Sequence, residues 1–112
     1  MKTNELSGAA LDWAVAKCEG HKVFIKYAPV QVMYTPQNKR SWYIYRPSSN
    51  WAQGGPIIER EMIDIVCLPT KQGGKIWRTF YADGPTPLVA AMRCFVAAKL
   101  GDNVDVPKEL TE

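Results

Sequence analysis

The residues best equipped to bind a ligand are concentrated between Arg46 and Pro56. Trp51 offers a flat indole on which a planar ligand can stack, while Gly54 and Gly55 let the backbone approach a ligand and expose its N–H groups. The hydrogen-bonding side chains of the segment are Ser48, Ser49, Asn50 and Gln53. The segment has neither the GxGxxG nor the GxxxxGK(S/T) phosphate-binding pattern. It predicts a site for a planar polar ligand; the alternative is a structural loop in which Trp51 plugs the core.

A second candidate site lies at the start of the last predicted helix, where Thr86 precedes Pro87. Free backbone N–H groups and the helix dipole favour an anion at such a position. The arginines available to complete the site are Arg46, Arg60, Arg78 and Arg93. The alternative is that Thr86 simply caps the helix. Arg93 interrupts an apolar helix, so it either pairs with a carboxylate such as Asp12 or points into a ligand cavity.

Catalytic templates find little support in the sequence. The only histidine, His21, follows a helix-ending glycine and has no serine or cysteine beside it, which is typical of an ordinary surface histidine. Glu59 and Glu61 would share one face of an extended chain and so suit acid/base chemistry. A solvated charged turn, neutralised by Arg60, explains them as well. We therefore expect a protein that is not an enzyme and that has no cofactor and no metal site.

Two segments have helical periodicity, one near each end of the chain. From Ser7 to Glu19, apolar residues recur at helical spacing, and Gly20 is placed to end the helix. From Pro87 through Lys99 the chain is apolar on nearly every side, which predicts a helix central to the fold.

Short β-favouring segments lie between these two helices. The predicted strands are 22–27, 30–34, 42–45, 63–68 and 76–82, and they are joined by a turn at 35–41, a long ordered loop at 46–56 and a chain break at 83–85. Two helices with four to five such strands indicate an α+β fold. In it, a mostly antiparallel sheet has the N-terminal and the C-terminal helix packed on one face.

Length and composition set the remaining limits. A chain of 112 residues fits one domain, 1–112, with a polar tail from about residue 102. The formal net charge of +3 falls short of the clustered basic stripe of a duplex-binding protein, so a nucleic acid partner is not expected. Three spaced cysteines in apolar surroundings, no signal sequence and no long apolar stretch predict a cytoplasmic protein with no place in a membrane.

Three segments also resemble a known family, namely LDWAVAKCEG, WAQGGPIIERE and GPTPLVAAMRCFVAAKLGD. They are similar to the NinX-like family of small phage and prophage proteins. The resemblance spans most of the chain, and its most specific part is the WAQGGPII block. It implies an accessory phage protein made in the cytoplasm of a bacterial host, and it supplies no catalytic residues.

The sequence leaves open two main functions. In the first, the protein holds a small nucleotide-like ligand, and sequestering a host immune signal in this way would serve host-defence evasion by analogy with other small phage proteins. The predicted ligand-binding residues are Ser49, Asn50, Trp51, Gln53, Gly54, Gly55, Arg60, Thr86 and Arg93.

In the second, it is an interaction module that inhibits or redirects a host protein through an aromatic anchor of Trp42, Tyr43 and Tyr45. An enzyme that uses Glu59 or Glu61 is a third hypothesis. Strand edges and aromatic residues would equally serve a symmetric homo-oligomer.

Overall fold

Three α-helices and two small sheets make up the computed structural model, which describes residues 1–27, 30–36 and 39–110. The helices are α1 (Gly8–Glu19), α2 (Trp51–Glu61) and α3 (Pro87–Leu100). The first sheet contains β1 (Lys22–Tyr27), β2 (Val30–Thr35) and β3 (Tyr43–Ile44). The second contains β4 (Val66–Pro69), β5 (Lys75–Arg78) and β6 (Asp83–Gly84). Short 3-10 turns lie at Thr3–Glu5 and Lys108–Leu110. The predicted α+β class is confirmed.

The first and last helices form where the helical periodicity predicts them. At the start of α3, the Thr86 hydroxyl accepts a hydrogen bond from the Val89 N–H at 3.1 Å, and Pro87 takes the first helical position. Helix α1 ends at Gly20, whose left-handed backbone (φ 75°) favours a residue without a side chain. Both helices are buried along much of their length, and they pack against each other.

The predicted loop at 46–56 is wrong from Trp51 onwards, because α2 begins there. Asn50 caps this helix, and its side-chain oxygen accepts a hydrogen bond from the backbone N–H two residues later at 2.9 Å. The inward residues are Gly54, Ile57 and Ile58, which recur at the i, i+3, i+4 spacing of one helix face. Packing of this face against α3 overrides the helix-breaking composition of two glycines and a proline.

The prediction of a single sheet of four to five strands is wrong, because the strands form two separate three-stranded sheets. All pairings are antiparallel, in the orders β1-β2-β3 and β4-β5-β6. The expected break at 83–85 is instead the site of β6, because a tight turn from Thr79 to Ala82 returns the chain against β5. Helix α1 packs on the first sheet and α3 on the second, so the two predicted helices do not share one sheet face. The predicted turn at 35–41 includes residues 37 and 38, which lie outside the described residues.

A hydrophobic core joins the helices, the first sheet and both chain ends. Its largest wholly buried side chains include Leu6, Leu11, Val15, Val32, Met92 and Val96. The predicted polar tail holds the N-terminus, since the Val104 N–H donates to the Met1 carbonyl at 2.9 Å and the Val104 side chain is buried. Residues 111 and 112 of that tail lie outside the described residues.

The three cysteines are free thiols in three different environments. Cys94 is buried, and Cys18 is half-buried, where burial raises the pKa of its thiol to about 11. The prediction that all three lie in apolar surroundings is wrong for Cys67, which the short strand β4 leaves exposed. No helix in the described part of the chain is long and apolar enough to cross a bilayer.

Candidate functional site

A groove of about 540 Å³ lies where all three helices begin. The residues that the helices and their leading segments place in its wall are Gly8, Ala9 and Asp12 for α1, Ser48, Ser49 and Trp51 for α2, and Thr86, Pro87, Leu88 and Val89 for α3. Strands β2 and β3, together with Arg46, complete the wall. The fold therefore brings three helix N-termini that are far apart in the sequence to one concave surface.

Backbone N–H groups at these helix starts supply the groove with hydrogen-bond donors. The first N–H groups of an α-helix have no partner inside the helix, and the Ser7 side chain makes no capping hydrogen bond to those of α1. In α3, Thr86 accepts from the N–H groups of Val89 and Ala90. The Leu88 N–H has no partner among the described residues. Each helix also contributes partial positive charge at its start, so this end of the groove favours an anion.

Asp12 supplies a buried carboxylate to the same groove. Only 5% of the residue is exposed, and its Oδ1 accepts a hydrogen bond from the Ser48 N–H at 2.9 Å. Burial raises the pKa of this carboxyl to about 6, although hydrogen bonds from Ser48 and the charge of Arg46 pull the pKa part of the way back. The groove thus offers an acceptor beside its donors.

Asp12 is not among the site residues that the sequence predicts, where it appears only as a possible partner of Arg93. The signal was present, because Asp12 is a lone carboxylate within an otherwise apolar stretch of that helix. A buried carboxylate with a raised pKa in a cleft is a recognised mark of a functional site.

Trp51 lies on the surface at the first position of α2, with 56% of the residue exposed. The alternative in which Trp51 plugs the core is therefore wrong. Ser49 and Arg46 are also exposed, and both line the groove with Trp51. An accessible indole, a hydroxyl and a guanidinium thus border the helix starts. An aromatic plane next to cationic groups suits a ligand that is both flat and anionic.

Three other predicted ligand-binding residues hold α2 in place. The Asn50 side chain caps the helix, and its carbonyl accepts from the N–H of Gly54. The Gln53 amide donates to the Ile44 carbonyl at 2.9 Å and accepts from the Arg46 N–H at 2.7 Å. The prediction of an exposed backbone N–H is thus wrong for Gly54, because helix formation uses it.

Gly54 and Gly55 differ in their surroundings. A side chain at Gly54 would collide with the Pro47 carbonyl oxygen and would lie 2.6 Å from Cδ2 of Leu88. The same addition at Gly55 meets only the Trp51 ring, at an ordinary 3.8 Å. The absence of a side chain at Gly54 therefore allows Pro47 and Leu88 to approach the helix closely. No comparable approach occurs at Gly55.

Arg60 and Arg93 lie outside the groove and have structural partners. Arg60 pairs with Glu19 and with Glu61 (2.9 Å), and its guanidinium lies 5.7 Å from the centre of the Phe95 ring. Arg93 donates to two backbone carbonyls, those of Leu6 (2.7 Å) and Asp83 (2.8 Å). The prediction was that Arg93 either pairs with a carboxylate such as Asp12 or points into a ligand cavity. Instead, the two carbonyls hold its guanidinium between α3 and the N-terminal segment, away from Asp12 and from the groove.

The remaining candidates for chemistry are dispersed. Glu59 and Glu61 lie on a helix and not on an extended chain, so the basis for pairing them is removed. His21 is half-buried and packs against the rings of Tyr34 (5.1 Å) and Tyr45 (5.2 Å). Tyr45 is itself buried, which removes it from the predicted aromatic anchor. Within the described ranges, no group of three or more histidine, cysteine or acidic residues could hold a metal ion.

The chain matches a known protein family. A family model described as "Bacteriophage P22, NinX" matches residues 2–99. No curated protein matches the chain. The matched range contains every residue that lines the groove.

Proposed function

Because the chain belongs to the bacteriophage P22 NinX family, we propose that it is a phage accessory protein, working in the cytoplasm of a bacterial host, that binds a small nucleotide-like anion without transforming it. The observation that carries this proposal is the convergence of three helix N-termini on one groove bordered by Trp51 and Arg46. The groove of about 540 Å³ lies within the size range of small-molecule sites.

The charge distribution supports an anionic group on the ligand. Three helix dipoles direct their positive ends to the same groove, and Arg46 adds a full positive charge at its edge. Anions at helix N-termini are stabilised by direct hydrogen bonds from the free N–H groups. We therefore assign the phosphate end of the ligand to the helix starts.

The opposite chemistry of Asp12 supports a ligand with more than an anionic group. A carboxylate only accepts hydrogen bonds when ionised, so it suits a sugar hydroxyl or a base amino group. Trp51 supplies a plane on which a base can stack. A nucleotide combines an anion, hydrogen-bond donors and a flat ring, whereas inorganic phosphate has only the first of these. Binding without turnover would remove such a molecule from solution, as sequestration of a host signal requires.

A thermal-shift experiment tests the proposal with a panel of mononucleotides, cyclic dinucleotides and ADP-ribose derivatives. A ligand present at about 100 times its Kd adds about 2.7 kcal/mol to the free energy of unfolding, which is a clear rise in Tm. Trp51→Ala and Arg46→Ala should each reduce this rise. The matched controls are Trp42→Ala and Arg40→Ala, which remove an exposed tryptophan and an exposed arginine outside the groove.

Two results would contradict the proposal. One is a panel in which no compound changes Tm; the other is a shift that the Trp42 and Arg40 variants lose as readily as the groove variants. A separate experiment tests whether the protein is a catalyst: the bound compound is extracted and identified by mass spectrometry. Recovery of a converted product with the native protein but not with Asp12→Asn would make the protein an enzyme.

A second candidate function, binding to a host protein, is favoured by the exposed residues Met62, Phe80 and Tyr81. Phe80 and Tyr81 form the tip of the turn from Thr79 to Ala82, and Phe80 is 88% exposed. The Thr79 hydroxyl donates to the Ala82 carbonyl at 2.7 Å, which fixes the turn. Aromatic residues are enriched at binding hot spots. Stoichiometric capture of one host protein that Phe80→Ser abolishes, and Trp51→Ala does not, would favour this function over the first.

A further inference from the structure

The outer face of the first sheet presents a row of apolar side chains to solvent. Phe24 pairs with Met33 and Met33 with Ile44 in the strand register, so the three side chains lie side by side on one face. The Trp42 ring contacts Phe24 edge to face, with 4.8 Å between ring centres. Phe24 is 46% exposed and Trp42 is 44% exposed. The opposite face of the sheet packs on the core, where the Val32 side chain is buried.

Lysines flank this aromatic pair. Lys22 and Lys26 lie two residues before and after Phe24 on β1, so they share its face of the sheet. Both are exposed, and their offset of four positions along the strand places them about 13 Å apart. We call Lys22, Phe24, Lys26 and Trp42 the basic aromatic face.

The charge of the protein is segregated toward this region of the sequence. Residues 20–58 contain five of the fourteen lysines and arginines and none of the eleven acidic residues. The rest of the chain has nine basic and eleven acidic residues, so it is net negative. The overall charge of +3, which argues against a nucleic acid partner, conceals this separation.

We propose that the basic aromatic face binds single-stranded nucleic acid, as a function separate from the groove. Bases unstacked from one another can lie against the Phe24 and Trp42 rings, since every base has a flat face. The Lys22 and Lys26 ammonium groups then contact the phosphates on either side. A duplex keeps its bases stacked inside, so it can use the lysines but not the rings. The required chemistry is common to DNA and RNA.

Fluorescence anisotropy with labelled dT and rU oligonucleotides of about 15 nucleotides tests the proposal at about 50 mM and about 200 mM salt. Both oligonucleotides are expected to bind; tighter binding of one identifies that nucleic acid as the preferred partner. Trp42→Ala and Phe24→Ala should each weaken binding about tenfold or more. Trp42→Phe should restore most of the loss, because it retains an aromatic plane. Tyr27→Ala, which removes an exposed ring from the opposite face of β1, is the matched control and should bind like the native protein.

Charge reversal isolates the lysine contacts. Lys22→Glu with Lys26→Glu should lower the affinity and reduce the slope of log affinity against log salt by about 0.7 for each lost phosphate contact. The control is Lys71→Glu with Lys75→Glu, which makes the same charge change at exposed positions on the hairpin of the second sheet. It should change binding much less.

The proposal would be overturned by no anisotropy change with either oligonucleotide at about 50 mM salt, by equal loss of binding in both lysine pairs, or by a blunt duplex that binds as tightly as the single strands. An equal loss in Trp51→Ala and Trp42→Ala would place the strand in the groove and likewise contradict it. Circular dichroism melts of each variant show whether its fold is retained. Failure of the groove proposal in the mononucleotide panel leaves this result unaffected.

Discussion

Helices α2 and α3 begin in the same way and are stabilised in different ways. Both have an N-cap side chain that accepts a backbone hydrogen bond, Asn50 for α2 and Thr86 for α3, and both place their first turn at the groove. Seven of the residues of α3 are buried, whereas α2 buries only Gly54 and Ile57. α2 also contains two glycines and Pro56, the residue types that helices tolerate least.

This difference shows that the two walls of the groove depend on different parts of the sequence. α3 follows from its own residues, because an apolar helix with a cap and a proline at its first position is stable wherever it can be buried. α2 depends on distant contacts, namely Gly54 against Pro47 and Leu88, and the Gln53 amide bridging Ile44 and Arg46. Changes that disturb these contacts should therefore affect α2 and the groove more than α3.

The largest effect is expected for Gly54→Ala. The new Cβ would overlap the Pro47 carbonyl oxygen, and backbone there cannot move without displacing the segment that leads into α2. Overpacking of this kind should cost about 3 kcal/mol of unfolding free energy. Urea denaturation measures it. Native stability in the variant would mean that α2 does not pack closely on this segment.

A pH-dependent effect is expected at Asp12, whose Oδ1 fixes the Ser48 N–H just before α2. Its pKa in the folded protein, about 6, is above the ordinary value of 3.8 for an aspartate, so the folded state favours the protonated carboxyl. This contribution to stability is complete below about pH 4 and is lost as the pH rises through 6, a change of up to about 3 kcal/mol. Asp12→Asn stays neutral, so its stability relative to the native protein should rise over the same range.

Urea denaturation of both proteins between about pH 4 and pH 7 measures this difference, and the comparison cancels all other titrating groups. Asp83 and Glu61, for example, have pKa values lowered by Arg78 and Arg60, and their contribution is the same in both proteins. Parallel stability curves would show that the Asp12 carboxyl is not buried as the structure has it.

Removing either N-cap side chain should have a smaller effect on stability, and the effect should be the same for both helices. Asn50→Ala and Thr86→Ala should each cost about 1 kcal/mol. Their structural consequences should differ, because α3 keeps its buried face while α2 has little else at its start. Hydrogen exchange should therefore quicken across the first two turns of α2 in the first variant, but only in the first turn of α3 in the second. If faster exchange extends over the same number of turns in both helices, the two helices are not stabilised in different ways.

The same distinction explains which elements the sequence could predict. Helices α1 and α3 are indicated by local periodicity and by their ends at Gly20 and Thr86. The strand segments are recognisable, but their division into two sheets depends on the turn from Thr79 to Ala82, which no local rule singles out. The composition of α2 predicts a loop, and the helix forms because distant contacts, with α3 and with the segment that leads into it, stabilise it.

Site prediction from the sequence has the same limit. Trp51, Ser49 and Thr86 border the groove as residue type alone suggests. Arg60 and Arg93 do not, because a guanidinium is equally suited to pairing with a carboxylate or a carbonyl within the fold. The burial of Asp12 follows from the packing of α1, so its role could not be predicted before the topology was known.

The smallest effect is expected for Gly55→Ala, and it is stabilising. This residue lies in the interior of α2 beside Gly54, but the added Cβ would meet only the Trp51 ring at 3.8 Å. Alanine favours the helix over glycine by up to about 1 kcal/mol, so the unfolding free energy should rise by roughly half of this or more. Urea denaturation of this variant and of Gly54→Ala should give changes in unfolding free energy of opposite sign within one helix. If both substitutions destabilise the protein, side chains are excluded from the whole glycine pair. The steric restriction would then not be specific to Gly54, and the contrast between the two positions would be lost.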